Sequence, residues 1–275
     1  MTDVFRGIWV VSYRELLRFF TERTRFFSSL FMPLVFLVIF GAGFNNIIGD
    51  LMPGIDFLKF VYPGIIAQTV LQSSIFSGLS IVWDREFGFL KEILVAPLGR
   101  SGIVLGKVAG SAAIALMQGI IMLIVAPIIG VSLTPLIVAE LIPVVILISI
   151  SLSGLGVLIA SRMRSQQGFQ LIMQIIIFPL MFLSGVFFPV NTVPTWMAVI
   201  AKINPVTYGV DAIRQVILGK EMFPPGAAPG QLMVSNPIGV TVFGHTMTVG
   251  EDVLVVVGIG VILLVLAIWS FSRQE

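Results

Sequence analysis

Few side chains in this sequence could do chemistry. The single histidine, His245, sits in Gly244-His245-Thr246 with no second metal-ligating residue clustered near it. One histidine, with no serine and acid assembled around it, leaves no Ser-His-Asp triad. Cysteine is absent, so disulfides and thiolate ligands are excluded and nothing follows about redox compartment. Gly102–Lys107 has the outline of a phosphate loop, but the spacing is wrong, and Val108 stands where a Mg²⁺-binding Ser or Thr is needed. The chain is therefore expected to hold no catalytic residue, metal or cofactor. Energy for any active process must come from another chain.

What remains is a stretch that could grip a partner. Residues 84–100 read Asp-Arg-Glu-Phe-Gly-Phe-Leu-Lys-Glu-Ile-Leu-Val-Ala-Pro-Leu-Gly-Arg. A short helix, about 86–95, is expected there, stopped by Pro97 and Gly99. Phe87, Leu90 and Leu94 share one stripe, widened by Phe89 and Ile93. So short a helix is marginal alone, and this one carries too much apolar surface to face water. It fits the groove of a partner; the alternative is a helix resting on lipid.

The elements that hold this stretch follow from composition. Of 275 residues, 57% are hydrophobic and 11% charged, with a mean hydropathy of +1.06. Soluble chains run nearer 45–50% and about 25%. That excludes a water-soluble enzyme, a disordered chain and a nucleic-acid-binding domain. Runs free of Asp, Glu, Lys and Arg cover 26–49, 60–83, 108–139, 141–161, 165–201 and 253–272. Each reaches the roughly 20 residues that cross a bilayer as a helix. The expected fold is an all-α polytopic membrane protein of one domain, with spans near 26–46, 61–83, 105–129, 136–160, 168–188 and 253–271.

Charge placement predicts orientation. With the N-terminus in the cytoplasm, 12 of the 16 basic residues fall inside, leaving Lys59, Lys202, Arg214 and Lys220 outside. Both termini are then cytoplasmic. Residues 3–25 are expected to form an interfacial amphipathic helix, with Phe5, Ile8, Trp9, Tyr13, Leu16, Phe19 and Phe20 on one face and Arg14, Arg18, Glu22 and Arg25 on the other. Outside, 189–252 is broken by prolines. Two short helices, Val193–Ile203 and Val206–Leu218, are expected near the membrane surface, with short strands around Gln231–Val234 and Gly239–Val249.

Polar residues within the spans are the candidate lining of a pathway. Gln68, Thr69, Gln72, Ser73, Ser77 and Ser80 occupy one half of the second span. Gln170 and Gln174 lie a turn apart on the fifth, followed by Phe178 and Phe182 on the same side. The alternative is that they only hydrogen-bond helix to helix. Glu140 reads as a solvated helix-end carboxylate. Gly106–Gly110 and the small residues of Ser149–Gly156 read as close-packing sites.

Two stretches carry a resemblance. "DREFGFLKEILVAPLGRSGIVLGK" resembles the first cytoplasmic loop of the permease subunits of type-2 ABC exporters. "FPLMFLSGVFFPVNTVPTWMAVIAKINPVTYGVDAIRQ" is similar to that family's signature after the fifth span, with Val206 departing from the usual residue after the proline. The branch that exports drugs and antibiotics looks nearest. The resemblance implies a dimer, of two copies or of this chain with a similar one, in the inner membrane of a prokaryote. A separate ABC-type ATPase would carry ATP and Mg²⁺. It implies an ATPase-coupling element at Asp84, Arg85, Glu86, Phe87, Leu90, Glu92, Leu94 and Pro97. It also implies an outer re-entrant gate at Gly185, Pro189, Pro205, Tyr208 and Arg214, and export of a hydrophobic or amphipathic substrate such as a drug, lipid or lipid-linked saccharide. The reading from another class is a stand-alone channel or facilitator with no ATPase.

Overall fold

The computed structural model describes residues 2–51, 57–88, 99–222, 239–242 and 245–273. The described chain is almost wholly helical. Helix α1 (Thr2–Thr21) leads into α2 (Arg23–Leu51), and α3 (Phe57–Ile75) passes through a 3₁₀ turn (Phe76–Gly78) into α4 (Leu79–Glu86). Then come α5 (Arg100–Ile124), α6 (Pro135–Arg162), α7 (Gln166–Phe182), α8 (Thr195–Ile203), α9 (Pro205–Met222) and α10 (Val249–Ser272). By length and composition, Phe57–Glu86, α5, α6 and α10 are apolar enough to cross a bilayer. The apolar parts of α2 (Phe26–Ile39) and of α7 are shorter.

The ends of these helices are written locally. Thr134 accepts from Ile137 N, with Pro135 in the first helical position, and Ser165 accepts from Gly168 N. Thr248 and Glu251 form a reciprocal capping box at the start of α10. Thr248→Ala is expected to lower stability by about 1 kcal/mol, read as a small fall in the unfolding midpoint of the detergent-solubilised protein.

Packing centres on α6, which meets α3, α4, α5, α9 and α10. Its buried face carries Ser149, Ser153, Gly154 and Gly156 among apolar residues. Small residues let backbones approach, and hydroxyls bond across helices where no water competes. Ser74 Oγ donates to Ser149 Oγ at 2.7 Å, and Ser153 Oγ to Ser111 Oγ at 3.0 Å. On α10, by contrast, Leu254, Val261, Ile262 and Val265 are exposed, as suits a surface solvated by lipid.

Helix α1 uses two faces. A row of glycines on α5 seats it: a Cβ on Gly102 would meet Val4, one on Gly106 would meet Val11, and one on Gly110 would meet Glu15 and Ser12. Val11, Glu15 and Phe19 are buried, while Phe5, Trp9, Tyr13 and Phe20 stay exposed. The apolar face expected from the helical wheel is thus divided, with Phe19 inside and its aromatic neighbours outward.

The expected strands around Gly239–Val249 reduce to a two-residue antiparallel pair, Thr241–Val242 with His245–Thr246. Those expected near Gln231–Val234 lie outside the described residues. His245 is exposed, 3.1 Å from Glu251 Oε2. Glu140 is exposed on the second turn of α6.

Candidate functional site

The second span does not stop at residue 83. Its helix continues to Glu86, and Gly88 turns away with a positive φ of 82°, a conformation that glycine adopts without steric cost. The last turn carries Asp84, Arg85 and Glu86, and each is bonded to a different part of the bundle. Asp84 Oδ2 accepts from Lys107 Nζ of α5 at 3.1 Å and from Arg14 Nη2 of α1 at 2.7 Å. Arg85 donates to the carbonyls of Met163 and Ser161, the open end of α6, where a cation is favoured. Glu86 Oε2 accepts from Gln166 N at 2.9 Å, at the opposite pole of α7. Phe87 follows, exposed, with its ring edge-on to Trp83. Leu90, Glu92, Leu94 and Pro97 lie outside the described residues.

Lys107 is 1% exposed. Its ammonium meets Glu15 Oε1 at 3.1 Å, Asp84 Oδ2 at 3.1 Å and Ser80 Oγ at 2.7 Å. Burial pushes the Glu15 carboxyl up, but the Lys107 charge and its hydrogen bond, helped by Arg14 and Ser80, outweigh this and hold it below the ordinary value. Two acids and two bases, from α1, α4 and α5, close this end of the bundle with balanced charge. Sequence reasoning missed it. The available signal was the four-residue glycine repeat 102, 106 and 110, which marks a helix seated closely against α5.

A second built region lies at the other end of these helices. Gly185 turns with φ 79°, and Pro189, which is buried, leads into a 3₁₀ turn at Val190–Thr192. Helices α8 and α9 break at Asn204-Pro205. There Asn204 Oδ1 accepts from Val206 N at 2.9 Å, while its amide donates to Leu180 O at 2.7 Å. Tyr208 donates to Lys202 O at 2.6 Å. Arg214, 3% exposed, donates to Gly185 O at 2.7 Å and lies 4.1 Å over the Phe60 ring. The five residues expected to form an outer gate therefore share one region, and α9 is set among α3, α6 and α10. Also missed was an adjoining acidic pair: Gln215 Nε2 bridges Asp211 Oδ2 at 3.1 Å and Asp252 Oδ2 at 3.0 Å.

The candidate pathway residues are not gathered in one place within the chain. Gln68 is buried in α3, whereas Gln72 and Ser73 face a cavity between α1, α2, α3 and α5. Ser73 donates to Gln118 Oε1, and Gln118 Nε2 donates to Ser29 Oγ at 2.8 Å. On α7, Gln174 and Phe178 are exposed; Gln170 and Phe182 are half-buried, and the Phe178 and Phe182 rings lie 4.5 Å apart.

Fold and site together define a polytopic helical membrane protein whose built regions lie at helix ends and along polar helix faces. Residues 6–218 match the family described as ABC-2 type transporter, and the chain belongs to that family. It is 30% identical over 194 residues to the transport permease ycf38 of Cyanophora paradoxa, covering 68% of this chain and 66% of that one. It is 27% identical over 207 residues to nodulation protein J of Rhizobium meliloti, covering 74% and 78%. With the multidrug ABC transporter permease YbhR of Escherichia coli K12, identity is 31% over 171 residues, 60% of this chain and 45% of that one. The chain thus spans just under two thirds of the first relative's length and under half of the last.

Proposed function

We propose that this chain is the membrane subunit of an ATP-driven exporter, moving a hydrophobic or amphipathic substrate and taking its drive from a separate ABC-type ATPase that holds ATP and Mg²⁺. Two permeases, copies or near relatives, form the pathway. Six spans place both termini in the cytoplasm of a prokaryotic cell, with residues 84–100 facing the ATPase in the inner membrane. The permease names of its relatives agree with a subunit that transports and does not catalyse. The multidrug permease among them favours a drug-like cargo.

One observation carries this reading. The helix from Phe57 to Glu86 ends in three consecutive residues tied to α1, α5, α6 and α7, and the next side chain, Phe87, is exposed. A partner that grips Phe87 and the segment after it pushes on a rigid lever bonded to the rest of the bundle. A loop docked on lipid has no use for such bracing. The outer region around Gly185, Pro189, Pro205, Tyr208 and Arg214 serves as the gate at the far end.

Phe87→Asp with Leu90→Asp puts two charges on the apolar stripe and leaves the described hydrogen bonds intact. The variant is expected to insert and fold normally, to lose co-purification with the ATPase, and to lose ATP-dependent transport in reconstituted vesicles. Unchanged association and transport would reject the coupling role. Transport persisting with no ATPase at all would favour the stand-alone facilitator.

A further inference from the structure

The cavity between α1, α2, α3 and α5 is a built site that the coupling mechanism does not use. Its volume is about 250 Å³, a little below the ~300 Å³ where drug-sized pockets begin, which suits one headgroup or one ring. Phe19 and Phe76 supply apolar wall. The polar lining is almost all hydroxyl and amide, from serines of α2, α3 and α5 with Thr69, Gln72 and Gln118. Ser77 is 9% exposed and lines the cavity, and its hydroxyl has no partner. Its oxygen is enclosed, so the polar groups within reach of a ligand are those of the exposed lining residues, Gln72 and Ser28.

The charge at the site selects further. Glu15 and Lys107 reach the cavity but are bonded to each other, and with Arg14 and Asp84 they sum to zero. Neither an anionic nor a cationic head gains a free counter-charge there. The mouth is marked by the exposed lining residues Ser28, Met32 and Gln72. Beside it on α2 the exposed rings of Phe27 and Phe31 continue the apolar surface, a bed for an alkyl tail.

We infer that this cavity binds the uncharged, hydrogen-bonding head of an amphipathic molecule, entering sideways between α2 and α3 with its tail left along α2. This needs only that the chain lies in a bilayer, not that an ATPase drives it. A transported molecule and a resident glycolipid would present the same chemistry.

The test uses the full chain in nanodiscs without ATPase. Three photoreactive eight-carbon probes are compared: an alkyl glucoside, an alkyl phosphate and an alkyl trimethylammonium. The glucoside is expected to bind tightest and to label the peptides containing Ser28–Met32 and Gln72–Leu79. Gln72→Leu with Ser28→Leu, at the exposed mouth where folding is little disturbed, should weaken it about tenfold. Equal affinity for all three probes, labelling elsewhere, or no effect of the mouth variant in folded protein would overturn the inference. In vesicles with the partner ATPase, ATP-dependent uptake of the glucoside identifies the head as cargo. Binding without uptake identifies a resident lipid, and either result supports the site. Because binding is read without ATPase, its failure is separate from failure of the exporter reading.

Discussion

Lys107→Met is expected to destabilise the protein by about 3–5 kcal/mol, the cost of leaving buried charge unpaired. The ammonium sits between Glu15 and Asp84, which are 7% and 6% exposed, and its removal leaves Glu15 facing Asp84 with only Arg14 beside them. Methionine keeps the volume, so the loss is electrostatic rather than a cavity. Thermal unfolding in detergent measures it. Adding Glu15→Gln to Lys107→Met should recover part of the loss, because Glu15 is the acid left without a close partner while Asp84 keeps Arg14 at 2.7 Å. An unchanged midpoint in Lys107→Met would show that water reaches the cluster. The pH dependence follows in sign. Glu15 titrates below its ordinary value in the folded chain, so its pairing contributes fully above the ordinary carboxylate range, and that contribution is lost as pH falls through the depressed value. In Lys107→Met this part of the acid dependence should disappear.

The second large effect comes from the crossing of α6 with the 3₁₀ turn of the second span. A Cβ on Gly156 would fall on Ile75 O, and one on Gly78 would fall on Gly156 O and lie 2.9 Å from the Ala160 Cβ. The obstacles are backbone atoms, which cannot swing aside as a long side chain can. Gly156→Ala and Gly78→Ala are each expected to cost about 1–3 kcal/mol by forcing the helices apart. An alanine at an open helical glycine usually gains about 0.5–1 kcal/mol. Gly258, with nothing near its Cβ position, supplies that control. If Gly156→Ala and Gly258→Ala unfold alike, the close crossing is absent. Because the two glycines report on one contact, their double variant should fall short of the sum.

The consequences differ along the lever. Damage at Gly78 or Gly156 loosens the point where the second span leans on α6. Damage at Lys107 frees the end of the second span from α5, while Arg14 still ties Asp84 to α1. Under the proposed exporter function, both should weaken transport less through docking than through lost transmission. The Phe87 and Leu90 variant should instead remove docking from a bundle that still folds.

Much of the frame was legible in the sequence. The long charge-free runs place the apolar helices, since a bilayer admits no unpaired backbone and few charges. The break at Asn204-Pro205 and the turn at Gly185 follow from what proline forbids and glycine permits. The small residues of Ser149–Gly156 announced a close crossing, and Ser149, Ser153 and Gly156 lie in it. Residues 84–100 stood out because charge and aromatic residues crowd together in a chain poor in charge.

What only the tertiary structure decided is where the charges at helix ends point. Asp84 and Arg85 look in sequence like part of an exposed docking run, yet Asp84 is buried on Lys107 and Arg85 is spent on the end of α6. Glu15 stands on α1 like any charge of an amphipathic helix, and it is among that helix's buried side chains. Periodicity says which residues share a face of one helix. It does not say which distant helix that face will meet. The meeting of residues 15, 84 and 107 is set by the glycine row that draws α1 onto α5 and by the span that runs on past its apolar stretch to residue 86. The cavity lined by Gln72, Ser77 and Gln118 has the same origin: its polar groups belong to separate helices, and only their packing encloses the space between them.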